Sequence, residues 1–296
     1  MTDPLTAQPT PSPGAAPANV SDTARWVAAY RAQESARPDA VFHDPLAARL
    51  AGERGNAIAA SASRRMHRGW SIVARTKIID DLVLRSVGEG CDRVLNLAAG
   101  LDTRPYRLPL PAGLTWVEAD LPAILEEKEK LLADETPACR LVREKVDLAD
   151  ANAREAFLAR AVGPALRVLV LTEGLLGYLD RAVVKSLARD LASRPGIRWW
   201  ILDLLSARLV EGLQKDQHFA RAPIRFGPPE GVGFFEKLGW RASEVHSLFR
   251  VGATLRRLPW FLRPFVVFPD PDPRRLGRAR WSGVVRLERP RTTPRG

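Results

Sequence analysis

Arg93-Val-Leu-Asn-Leu-Ala-Ala-Gly-Leu-Asp-Thr-Arg-Pro-Tyr-Arg-Leu108, with Thr115-Trp-Val-Glu-Ala-Asp-Leu-Pro122 close behind it, decides how this chain reads. The apolar run Val94 to Ala98 breaks at Gly100, and a second run, Leu114 to Ala119, ends on Asp120, 20 positions after that glycine. A buried strand, a glycine turn and an acid ending the next strand suit an adenosine-type ligand. The glycine lets backbone approach the ligand, and the carboxylate accepts hydrogen bonds from ribose hydroxyls. Gly100 is the only glycine between Asn96 and Leu108, so the G-x-G-x-x-G loop is missing. A pyrophosphate needs several bare amides and a helix N-terminus beside it. A nucleoside without phosphates needs fewer, so the pattern favours S-adenosylmethionine over NAD or FAD. Glu118 lies two residues back on the same strand face, and a shift of register would exchange the two acids.

Outward from this stretch the pattern alternates. Strands are expected at 93–98, 114–119, 140–146, 167–172 and 197–204, with helices after Thr103 and at 122–133, 151–161 and 180–193. Apolar strands alternating with helices mean a mainly parallel sheet covered on both faces. Before them, Trp26, Ala29 and Tyr30 recur at helical spacing after Ser21, a candidate cap, until Pro38 interrupts. A second helix is expected from about Ile58 to Val87, carrying Met66, Trp70, Val73, Ile78, Ile79 and Leu82. Beyond Ser206 come a helical region, turns at Gly227-Pro-Pro-Glu-Gly231, a helix from about Phe234 and late strands at Val266–Phe268 and Trp281–Leu287.

At 296 residues and 46% apolar composition the chain can bury a substantial core. Its apolar runs fall short of a membrane span, so no membrane association is expected. Residues 1–20 are rich in Pro, Ala and Thr and carry no Lys or Arg. They read as a disordered lead-in and not as a secretory signal. Cys91 and Cys139 have neither disulfide nor metal-ligand spacing and read as reduced thiols of a cytoplasmic protein. The net charge of +11 raises the question of nucleic acid, but only seven of the 45 basic residues are lysine. An Arg-rich, Lys-poor chain follows most simply from a GC-rich coding genome. The densest cluster, Arg274, Arg275, Arg278 and Arg280, lies far along the chain from the cofactor segments and lacks interleaved stacking aromatics. His43, His67, His218 and His246 are too scattered for a metal or catalytic pattern, although His43 and Asp44 could form a local pair, and no metal is expected.

The motif Asn96 to Leu108 resembles the cofactor loop of the leucine carboxyl methyltransferase family, which includes bacterial polyketide O-methyltransferases of the tetracenomycin type. Four further segments are similar in the same order: Ala74-Arg-Thr-Lys-Ile-Ile-Asp80, Glu118-Ala-Asp-Leu-Pro122 with Lys128, Val146-Asp-Leu148, and Leu171-Thr-Glu-Gly-Leu-Leu-Gly-Tyr178. Thr23-Ala24, Arg31-Ala32 and Asp44-Pro45-Leu46-Ala47 resemble bacterial members, so the likeness spans about residues 21–190. Ala98-Ala99 departs from the Gly-Ala of many relatives, a mild change if Ala98 keeps φ negative.

The resemblance implies a class I methyltransferase fold: a doubly wound, mostly parallel seven-stranded sheet with N-terminal helices and a late helical lid. It divides residues 21–290 into N-terminal helices (21–90), a cofactor-binding core (91–205) and a lid with C-terminal strands (206–290). It places S-adenosylmethionine, and the product S-adenosylhomocysteine, among Arg75, Ala98, Gly100, Asp120, Leu121, Asp147, Leu148 and Glu173. Arg75 pairs with the methionine carboxylate, and Glu173 lies at the methionine end near the transferred methyl. Asp147 accepts from the adenine amino group while Leu148 packs on the ring; Asp147 could instead cap the helix near Ala151. Glu173 and Tyr178 are the candidate catalytic residues, and Tyr178 serves either the substrate wall or core packing. The expected reaction is O-methylation of a small molecule, by preference a carboxyl group, since a carboxylate needs no general base. The alternatives are an RNA methyltransferase or nucleic-acid binder, a nicotinamide oxidoreductase, or a non-catalytic relative.

Overall fold

Seven strands form one sheet in the order β3-β2-β1-β4-β5-β7-β6. They are β1 (Arg93–Leu97), β2 (Thr115–Asp120), β3 (Arg140–Lys145), β4 (Val168–Thr172), β5 (Ile197–Leu205), β6 (Arg241–Ser247) and β7 (Ser282–Glu288). β1 to β5 pair in parallel, and β7 runs antiparallel between β5 and β6. This is the expected class I methyltransferase sheet. The computed structural model describes residues 17, 19–61, 69–165, 167–216 and 222–290. The expected lead-in up to residue 16, together with Met66, His67 and His218, lies outside them.

The parallel strands are apolar on both sides because helices cover both faces. On one face α6 (Ala151–Val162) and α7 (Arg181–Ala192) pack through Phe157, Leu158, Val184, Leu187 and Leu191 against Leu95, Val117, Val170 and Trp200. On the other, α3 (Trp70–Gly88) lays Ala74, Ile78, Ile79 and Leu82 on Val94, Trp116, Leu169 and Ile201. α1 (Val20–Ser35) and α2 (Ala47–Ser61) build a third cluster around Trp26, Tyr30, Leu50 and Ile58. Asn19, not Ser21, caps α1, its side chain accepting from the Asp22 amide at 2.9 Å.

Several expected elements differ. The helix after Thr103 is the single turn α4 (Arg104–Arg107), because Pro109 holds Leu108 extended. α5 (Pro122–Leu131) starts where expected and ends two residues earlier, and α8 (Ala207–Leu213) opens the region beyond Ser206. The helix near Phe234 shrinks to α9 (Gly233–Glu236); Gly239 at φ 90 ends the turn and sends Trp240 into the core, where its ring meets Trp200 at 5.4 Å. Val266–Phe268 is no strand. It ends a 3-10 segment, Trp260–Val267, with Pro264 inside, and a proline cannot donate to a ladder. The sixth strand is instead Arg241–Ser247, a polar run with a bulge between Ala242 and Glu244, followed by α10 (Leu248–Thr254).

Ala98 corrects a second expectation. Its φ is 56°, in the left-handed region that costs a residue with a Cβ roughly 1–2 kcal/mol. The amides of Ala98 and Ala99 both reach the Ala119 carbonyl, at 2.8 and 3.3 Å, and this tether fixes the strained turn. Ala98→Gly should therefore stabilise the protein by about 0.5–1 kcal/mol after the extra chain entropy of glycine is subtracted. Thermal melting should show a rise of roughly 2 °C; a fall would mean that the turn gains more from the methyl group than it loses to strain.

Candidate functional site

The carboxyl ends of β1, β2, β4 and β5 share one edge of the sheet, the usual ligand position in an open α/β sheet. After β1 the chain turns back over the end of β2. Gly100, at φ 49°, donates its amide to Asp120 Oδ2 at 2.7 Å, and the Leu121 amide donates to Oδ1 at 2.8 Å. A Cβ at Gly100 would meet only the Ala24 methyl, at 3.5 Å, so the turn requires glycine for its φ and not for space. Burial pushes the Asp120 carboxyl above its ordinary range, against the pull of the Gly100 and Leu121 amides. The apolar Leu121 beside it is 49% exposed.

The choice between the two β2 acids is resolved by their partners. Glu118 is fully buried and clamped by Lys128 Nζ at 2.6 Å and Arg143 Nε at 2.9 Å. It braces β2 from within, while Asp120, at the end of β2, is held, among the described residues, by the Gly100 and Leu121 amides alone.

At the ends of β4 and β5 a second acid was passed over by sequence reasoning. Asp203 stands on β5 and accepts from Arg75 Nη1 at 2.9 Å and from the Gly174 amide at 2.8 Å. Arg75 Nε lies 3.0 Å from Glu173 Oε1, while Glu173 Oε2 accepts from Arg104 Nη1 at 2.7 Å. Arg75 thus bridges two carboxylates in the structure described. Among the described residues its Nη2 has no partner, so a full two-nitrogen grip on another carboxylate would displace Glu173 or Asp203.

Behind Glu173 lies an ion network that sequence reasoning also missed. Arg104, 2% exposed, reaches Asp80 at 2.7 Å, Asp102 at 2.9 Å and Glu173 at 2.7 Å. Arg107 pairs with Asp80 at 2.7 Å, and Asn96 Nδ2 donates to Asp102 at 2.8 Å. Asp44 turns inward, away from exposed His43, to accept from Arg31 Nε at 2.8 Å and Thr103 Oγ1 at 2.7 Å. That arrangement replaces the local His43–Asp44 pair expected. Burial would raise the Glu173 carboxyl, but Arg104 and Arg75 outweigh it and hold it below the usual range. The same contest, with Arg104 foremost among the cations, holds Asp102 far lower.

The remaining candidates separate. Tyr178, in a 3-10 turn (Leu176–Tyr178), packs against the N-terminal helices and shares its hydroxyl with Thr23; burial raises its phenol despite Thr23 and Arg75. Asp147 is exposed and, among the described residues, accepts only from the Ala149 amide, at 2.9 Å. Asp150 caps α6 in its place, so the alternative role proposed for Asp147 belongs to its neighbour. Leu148 is buried against the sheet. Burial pushes the thiols of Cys91 and Cys139 up to about 11, which removes both as nucleophiles at neutral pH. Among the described residues no group of three His, Cys, Asp or Glu side chains could hold a metal, and no helix is long and apolar enough to cross a membrane.

Comparison with known proteins places the chain among methyltransferases. The chain is 34% identical over 258 residues to a Frankia alni protein named among the S-adenosyl-L-methionine-dependent methyltransferases, covering 82% of this chain and 90% of that one. A Streptomyces coelicolor protein of the same naming is 32% identical, over 78% and 86% of the two chains. Among solved structures, a Thermobifida fusca protein described by resemblance as a methyltransferase superposes with a TM-score of 0.53 at 18% identity, covering 90% of this chain and 94% of its own. A DUF574 family protein from Streptomyces avermitilis gives 0.50 at 16% identity, covering 89% and 97%. The sequence profile described as leucine carboxyl methyltransferase matches residues 24–192, the span that holds Arg75, Gly100, Asp120 and Glu173, and on that match the chain belongs to the leucine carboxyl methyltransferase family.

Proposed function

We propose that the protein transfers the methyl group of S-adenosylmethionine to the carboxylate oxygen of a small organic acid. Asp120 accepts from the ribose hydroxyls beside the Gly100 turn, exposed Leu121 covers the nucleoside, and Asp147 and Leu148 bound the adenine. The methionine end suits this edge of the sheet by charge. Arg75, Arg104 and Arg107 face Asp80, Asp102, Glu173 and Asp203, which leaves one negative charge in excess. An ammonium, a sulfonium and a carboxylate sum to one positive charge. Arg75 Nη2 meets the carboxylate, and Glu173 and Asp203 face the cationic groups.

When bound, the cofactor supplies the electrophilic methyl group. The protein's task is to align acceptor, methyl and sulfur and to exclude water. The observation that favours a carboxyl acceptor is the state of Glu173. Two arginines hold it below the normal carboxylate range, which makes it a poor base for a hydroxyl proton. Tyr178 is equally unsuited, since its phenol is held in the neutral form. A carboxylate acceptor is already nucleophilic at neutral pH and needs neither.

Incubation with methyl-labelled S-adenosylmethionine and matched aryl carboxylic acids and phenols distinguishes the acceptors. We expect label in products of the acids, released as methanol by mild alkali. Alkali-stable label on the phenols, with none on the acids, would overturn the carboxyl assignment.

A further inference from the structure

A cavity of about 580 Å³ lies between the C-terminal half of α1, the first turns of α3 and residues 256–263. Its size falls within the range of small-molecule pockets. Trp70, Val73, Leu258 and Trp260 give it apolar walls, and Arg37, Arg256, Arg257 and Arg263, against the single acid Glu34, leave its lining with an excess of positive charge. Val73 sits two residues from Arg75 on α3, which turns it to nearly the opposite side of that helix. The cavity is therefore separate from the sheet edge that receives the cofactor.

Not all four arginines are engaged. Arg257 is held by Glu34 at 2.8 Å and Asp39 at 3.1 Å, and Arg37 by Asp39 at 2.9 Å. Arg263 makes one long contact, 3.4 Å to the Leu258 carbonyl, and Arg256 has no side-chain partner among the described residues. Trp260 stands 79% exposed, and Phe265, Val267 and Phe268 beyond it are exposed too. An apolar wall and unneutralised cations together call for an amphipathic anion.

The backbone supplies an independent observation. α10 ends in a Schellman turn: the Arg257 amide donates to Gly252 at 2.8 Å and the Arg256 amide to Ala253 at 3.0 Å. The left-handed residue of such a turn is usually glycine, yet here it is Arg256, at φ 57°. Besides Ala98 it is the only non-glycine residue with positive φ among the described residues. Strain of this kind clusters at functional sites and ligand clamps, and Arg256 lines the cavity.

We infer that the cavity binds an amphipathic organic acid, with its apolar body between Trp70, Leu258 and Trp260 and its anionic group on Arg256 and Arg263. The site stands independently of the methyl-transfer reading, because it shares no residue with that edge of the sheet.

Calorimetric titration of the full chain with dodecanoate, held below its micelle-forming concentration, tests this. We expect saturable binding at one site per chain, with dodecyltrimethylammonium binding much more weakly. Arg256→Gly should raise the melting temperature, by relieving the turn, and yet weaken dodecanoate roughly tenfold, about 1.4 kcal/mol. Arg263→Gln should weaken it similarly with no thermal gain, and S-adenosylhomocysteine binding should be unchanged in both. A stabilised Arg256→Gly variant with unaltered dodecanoate affinity would show a purely structural residue and overturn the proposal. So would equal binding of the cationic amphiphile, or association with anionic vesicles in place of monomeric dodecanoate.

Discussion

Arg104→Met should cost about 3–5 kcal/mol of folding stability, the scale of breaking a buried charge network by removing one member. The substitution keeps an unbranched apolar stem but removes the cation shared by Asp80, Asp102 and Glu173. Asp80 would retain Arg107, and Glu173 would retain Arg75, while Asp102 would keep the Asn96 amide, its backbone bond and the more distant charges of Lys128 and Arg107. Asp102 carries the largest share of the expected loss. Its native carboxyl titrates far below an unfolded aspartate, near 3.9, so its stabilisation is full above about pH 4 and fades as pH falls further. In the variant the stranded carboxyls should take up protons at higher pH. The deficit against the wild type should thus be greatest at neutral pH and shrink toward pH 4. Denaturant unfolding at the two pH values measures both effects; a loss below about 1 kcal/mol, or one independent of pH, would mean that the network carries little.

Arg75→Ala should weaken S-adenosylhomocysteine by roughly 2–4 kcal/mol, on the order of 30-fold to several hundred-fold, and leave adenosine nearly untouched. The side chain is only 16% exposed, so the lost interaction is sheltered from water. Adenosine lacks the methionine carboxylate and cannot sense its removal. Lysine at this position should recover part of the affinity, because it restores the charge but not the planar fork. The substitution also strips a partner from Glu173 and Asp203, so some loss of thermal stability is expected alongside.

The core of the fold was legible because its signals are local. Short apolar runs ending in Gly100, Asp120 and Glu173 mark parallel strands and their carboxyl ends, and the structure places all three along the carboxyl edge of the sheet. The last third was less so. Arg241–Ser247 is a half-buried strand whose ladder partner, β7, lies some 40 residues on, and Glu244 is tied to Arg85 and Arg286, which gives it the look of a solvated face. Trp260–Phe268 showed the opposite deception, an apolar stretch that the structure leaves at the surface. In the site, Asp203 had the same signal as Glu173, an acid near the end of an apolar strand, and was read merely as part of that strand. Arg104 had no signal of its own in a chain so rich in arginine; burial, not sequence, distinguishes it. The strain at Ala98 depends on the tether to Ala119, which only the folded register reveals.

The account rests on a cofactor held by both its ends, at Asp120 and at Arg75. Parallel titration of the wild type and Arg75→Ala with S-adenosylhomocysteine and adenosine reads this directly. We predict one site per wild-type chain for S-adenosylhomocysteine, a large loss of that affinity in the variant, and adenosine binding that is the same in both. Absence of S-adenosylhomocysteine binding to the wild type, or equal losses for the two ligands, would contradict it.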